Sequence, residues 1–345
     1  MIRFHQHAGT KSLRYLSALL LFGMCSPLAS ALGPGELFIT NSSTDTVTVY
    51  SRTASGTTTP VRTIHTGLSS PFSVIVDQLN NEVYVSNNCR DTPCGGMVEV
   101  YALNANYPND TPKRTISGFA TGLFHSTGMA LDLLRQELYV ANDDSAEITV
   151  YPRTANGNVA PTRTIVGAAT ELNGPLAVTL DLFHDELIVV NKVNGGGGAG
   201  LITVYPRSSN GNVSPKRSIG GALTGFNLPV GMDLDLLRDE IVVANADANS
   251  VLVFPRTATG DVAPSRILEG SSTGLCAPTG VLIDPINNEM VVANSGLVLP
   301  GTVLCGQGTT VYRRPAGGNE SPLRTLNLPA GTGPVTVAET LISFN

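Results

Sequence analysis

Five cysteines, five histidines and a modest set of carboxylates make up the reactive inventory of this chain. Asp233, Glu171 and Asn173 are oxygen donors of the kind that hold Ca²⁺ or another divalent cation, and His125 could stand beside them. Lys192 and Asn194 belong to a Gly-rich insertion and offer a charge and an amide for binding. The alternative for Asp233 is a carboxylate that is merely solvated or hydrogen-bonded. No cofactor is certain. A zinc lyase would need three converging histidines, yet His65 and His184 read as outer-strand and turn residues. Ser-His-Asp chemistry lacks a Gly-x-Ser-x-Gly elbow, although triads need not be sequential. No catalytic residue can be named.

The amino terminus gives the cysteines a context. Arg3, Lys11 and Arg14 precede a short apolar core from Tyr15 to Met24, and Ala29-Ser30-Ala31 offers a small-residue cleavage pattern. Residues 1–31 are therefore expected to be a secretory signal, with a secreted or periplasmic product. An uncleaved anchor and lipidation at Cys25 are the alternatives. Loss of those three basic residues takes the net charge from −6 to −9. Such an acidic chain without a basic stripe is a poor partner for nucleic acid or an anionic membrane. Cys89, Cys94, Cys276 and Cys305 remain after cleavage. In an oxidising compartment they are expected to pair as Cys89–Cys94 and Cys276–Cys305, with zinc as the competing reading.

The elements that must position these groups come from one repeat. Glu, three mostly apolar residues, a small or β-branched residue and Asn recur at 36–41, 82–87, 137–142, 186–191, 240–245 and 289–294. A second strand ends in Tyr50, Tyr101, Tyr151, Tyr205, Phe254 or Tyr312. A short third strand carries Arg62, Arg114, Arg163, Arg217, Arg266 or Arg324. Another strand precedes each Glu from the second copy onward, for example Pro175 to Asp181. Four short strands per unit, six times over, predict an all-β, six-bladed β-propeller spanning residues 32–345. The first copy lacks its leading strand, and the segment from Pro334 to Ala338 supplies it, closing the ring.

Within each blade, the Glu is expected to face the Arg that ends the aromatic strand, as Glu137 with Arg153, with the Arg that starts the fourth strand, as Arg163, at the same end and in the same set of cross-strand ion pairs. The Asn is expected to cap a hairpin in left-handed geometry. The Asp closing each leading strand is expected to accept backbone N–H groups of the following turn.

The motif Pro278-x-Gly-Val-x-Ile-Asp284 and the strand Glu137-Leu-Tyr-Val-Ala-Asn142 resemble six-bladed propellers of the NHL-repeat and TolB-like type. The resemblance covers essentially residues 36–345. It implies the fold, but not one activity, since such propellers host lactonases, lyases and pure binding modules. A gluconolactonase-like architecture would imply a divalent metal near the channel mouth. That family's Glu, two Asn and Asp do not fall on matching motif positions in this chain.

Function is expected where the repeats differ. Loops 88–96, 192–200 and 295–306 are long and fall in alternate blades on one face, called the top. The expectation is an exported recognition or scaffold propeller, monomeric, binding a protein, small-molecule or glycan ligand through these loops. The alternative is a metal-dependent, lactonase-like hydrolase with Asp233 at the top of the channel.

Overall fold

The computed structural model describes residues 35–89, 95–192, 200–299, 302–329, 331 and 333–339. The expected signal at 1–31 lies outside them. Six four-stranded antiparallel sheets form the blades. Blade 1 consists of Pro334–Glu339, Glu36–Asn41, Thr46–Ser51 and Arg62–Ile64, so the carboxyl-terminal strand closes the ring as expected. The innermost strands of blades 2 to 6 are Pro71–Asp77, Ser126–Asp132, Pro175–Asp181, Pro229–Asp235 and Pro278–Asp284. In each blade the strand beginning with Glu comes second, the aromatic-ending strand third, and the strand beginning with Arg fourth. Gly56–Thr57 adds a short parallel strand to the outer edge of blade 6. Among the described residues no helix is long and apolar enough to cross a membrane.

Strand alternation puts apolar side chains on both faces of every blade, so the core is divided among the seams between blades. The aromatic ending each third strand fills one seam. Tyr101, Tyr151, Tyr205 and Tyr312 are buried there, and each hydroxyl donates to a carbonyl in the loop entering its own blade. Phe254 has no hydroxyl and instead packs on Phe226 of the equivalent loop, with ring centroids 5.3 Å apart. Where a seam narrows near the axis, only small residues fit. A Cβ on Gly231 would stand 2.4 Å from the Thr279 carbonyl oxygen and 2.7 Å from Gly280 Cα of the next blade.

Two polar assignments differ from the sequence-based expectation. Glu137 does not meet Arg153; its carboxylate is gripped by Arg163 of the fourth strand. Arg153 follows Pro152, which occupies the place opposite Glu137, and reaches back to Glu82 of blade 2 at 2.9 Å. The same division holds elsewhere: Glu186 is held by Arg217, and Arg207 pairs with Asp132 of the preceding blade. One arginine therefore closes each blade, and in every blade but the second, where Leu103 takes its place, another ties that blade to its predecessor.

The strand-end asparagines are also not in left-handed geometry; Asp45, Ala146 and Asn249 take positive φ in the short loops instead. The Asn side chains are buried and reach sideways. Asn142 Oδ1 accepts the Phe124 N–H at 3.0 Å, and Asn245 Oδ1 accepts that of Asn227 at 2.7 Å. Each ties the entering loop to its blade. The aspartates closing the first strands behave as expected, as Asp132 Oδ1 accepts the N–H groups of Leu134 and Arg135, both at 3.0 Å.

Candidate functional site

The top face gathers the loops between second and third strands and those leading into the next blade. Blades 1, 3 and 5 turn tightly here, whereas blades 2, 4 and 6 carry the insertions. The insertion of blade 6 contains its own hairpin, Leu297–Leu299 with Thr302–Cys305. Cys305 is bonded to Cys276 in the loop entering that blade, with Cα atoms 5.9 Å apart. Cys89 is also a disulfide cysteine. Its expected partner Cys94 lies outside the described residues, as does Asn194.

Two side-chain pairs meet at the junction of blades 3 and 4. His125, at φ 48°, precedes the first strand of blade 3 and pairs through Nδ1 with Asp144. Its ring stacks on Phe124 at 4.9 Å. The neighbouring Asp143 is buried, and its carboxylate accepts from Lys192 Nζ of blade 4. Gly174 makes room for that pair, since a Cβ there would lie 2.8 Å from Lys192 Cγ and 2.9 Å from Asp143 Oδ1. The Asn173 N–H donates to Asn191 Oδ1 at 3.1 Å, fixing the loop beside Lys192. Glu171 points elsewhere: its Oε2 accepts from Ser218 Oγ at 2.6 Å, on the outer strand of blade 4. The structure thus brings His125 and Lys192 into one polar patch and leaves Glu171 at its outer edge.

Asp143 and Asp144 escaped the sequence reading, although a signal exists. The residue after the repeated Asn is Ser42, Asn88, Asp143, Lys192, Ala246 or Ser295. Opposite charges at that one position in adjacent blades are the mark of a pair across the seam.

Asp233 is not part of this patch. Its strand position lines the central channel together with Ile75, Ala130, Thr179, Leu282 and Ala338. The side chain turns along the seam, where Oδ1 accepts the Leu234 N–H at 2.8 Å and Oδ2 the Ile283 N–H of blade 6 at 2.7 Å. Burial pushes its carboxyl up to about 6, against the lowering effect of those two amides. Among the described residues no group of three or more His, Cys, Asp or Glu side chains could hold a metal ion.

The channel itself encloses about 410 Å³. At the top, Phe72 of blade 2 packs on Leu176 and Val230 of blades 4 and 5, so apolar side chains span that end. At the bottom the lining includes Leu133 and Leu182, and Leu182 is 38% exposed. The cavity therefore reaches solvent on the face opposite the long top loops.

No protein-family profile matches the chain, and no curated protein matches its sequence. In fold it is similar to a chain in the crystal structure of a nidogen/laminin complex. The TM-score is 0.62 at 13% sequence identity, over 88% of this chain and 98% of that one. At such identity the likeness carries the fold alone.

Proposed function

We propose that this chain is an exported recognition propeller, residues 32–345 after loss of a signal at 1–31, that binds a protein partner through its top-face loops. The observation that carries the reading is the alternation of long insertions in blades 2, 4 and 6 on one face, one of them tied down by Cys276–Cys305. A loop anchored in this way gives up less freedom on binding than a free one. The disulfide also suits an oxidising compartment. Beside the insertions, the Asp143–Lys192 and His125–Asp144 pairs supply a polar rim. The fold neighbour comes from a protein–protein complex, which fits a binding scaffold.

The hydrolase alternative draws no support from the donor geometry. Asp233 is the one carboxylate lining the channel, no group of three or more candidate metal donors occurs among the described residues, and the top of the channel is spanned by Phe72, Leu176 and Val230. Exchanging residues 193–200 for the short turn at 144–146, with Lys192 kept as the partner of Asp143, tests the proposal. Partner capture from extracellular fluid should be lost in this variant, with the circular dichroism spectrum unchanged. Undiminished capture by a folded loop-exchange variant would move recognition away from this face.

A further inference from the structure

The channel is an apolar cavity with one carboxylate and one open end. Val, Ile, Leu, Met and Ala side chains from all six blades make most of its wall, with Ser73, Thr179, Thr336 and Asp233 as the polar exceptions. A volume near 410 Å³ lies within the range of small-molecule sites, roughly 300–1,000 Å³, which combine apolar walls with a few polar groups.

Asp233 differs from the aspartates around it. Asp77, Asp132, Asp181, Asp235 and Asp284, which close the first strands, each have an arginine within 4 Å. Asp233 has only the two N–H groups, and among the described residues no Lys, Arg or His pairs with it. Each carboxylate oxygen can accept more than one hydrogen bond. The site thus holds spare acceptor capacity and an unmatched negative charge in apolar surroundings, where a charge-assisted hydrogen bond is strong.

The approach to the open end is apolar as well. The turns after the first strands of blades 2 to 6 present Leu79, Leu134, Phe183, Leu237 and Ile286, which are 56–81% exposed. They occupy equivalent positions in successive blades and so encircle the bottom mouth.

We propose that the channel binds a primary amine carried on an aliphatic chain, entering from the bottom face and held by Asp233. The ammonium supplies the missing cation, the chain covers the apolar wall, and the ring of leucine, phenylalanine and isoleucine tips favours approach of an apolar molecule. This site is separate from the top-face loops, so its failure leaves the recognition reading untouched.

Calorimetric titration of the intact protein with n-octylamine, n-octanol and octanoate tests the assignment. Octylamine should bind about tenfold more tightly than octanol, and octanoate more weakly than either. In Asp233→Thr, which copies Thr179 from the same register of blade 4, octylamine should fall to the octanol level. If that variant does not fold, the ¹³C shift of the Asp233 carboxyl in the native protein serves instead and should move on addition of octylamine but not of octanol. Absence of octylamine binding overturns the proposal. So does equal affinity for amine and alcohol, a preference that survives Asp233→Thr, or an unmoved carboxyl signal in the presence of bound amine.

Discussion

Replacing Glu82 by Gln tests whether the repeated grip of arginine on the strand-opening glutamate stabilises the ring. The Glu82 carboxylate accepts from Arg114 at 2.7 and 2.9 Å and from Lys113 at 2.8 Å within blade 2, and from Arg153 of blade 3 at 2.9 Å. The Arg114 guanidinium, with help from Lys113 and the Tyr84 hydroxyl, holds the carboxyl down at about 2 against an ordinary 4.5. By linkage, that difference corresponds to about 3 kcal/mol at neutral pH. Because the folded value is depressed, the stabilisation is complete above pH 4.5 and is lost as pH falls towards 2. At pH 3 about 1.4 kcal/mol of it remains. Glu82→Gln should therefore cost about 3 kcal/mol at pH 7 and less than half that at pH 3, as the charge-dependent part disappears. The chain has no tryptophan, so urea unfolding is best followed by far-ultraviolet circular dichroism. Glu240→Gln is the control, since Glu240 is gripped by Arg266 alone among the described ion pairs and should cost less. A loss below about 0.5 kcal/mol at pH 7, or the same loss at both pH values, would refute the charge argument.

Two further outcomes follow from the same seams. Gly231→Ala should destabilise by about 2–3 kcal/mol through overpacking against the blade 6 backbone. Gly157→Ala, at φ 79° with open space around it, should cost only about 1 kcal/mol; equal losses in urea unfolding would contradict the tight-seam account. Deletion of residues after Thr332 removes the inner strand of blade 1 and the Thr336 Oγ1 bond to the Phe72 carbonyl of blade 2. Light scattering should then show aggregation through the exposed edge, and a monomer that melts unchanged would contradict ring closure by this strand.

The sequence alone determined the strand count, the blade boundaries, the number six and the closing strand. These are local properties: the alternation of apolar residues, the turn residues and the repeat length act within one blade, and six equivalent units with complementary ends leave the chain one way to close. It also paired Cys276 with Cys305, because both fall in loops on one face. What it missed are contacts across seams. Arg153 bonds to Glu82, 71 residues away, and Lys192 to Asp143, 49 residues away. A strand register names the residues opposite each other within a sheet, but the direction of a long side chain between two sheets depends on how the blades are rotated about the axis. The same holds for the channel. The strand positions of Asp233, Phe72, Leu176 and Val230 were legible, yet which end of the cavity is filled and which is open depends on six strands converging at once. Only tertiary packing decides that, because the residues facing one another across the channel come from blades that are not neighbours in the chain.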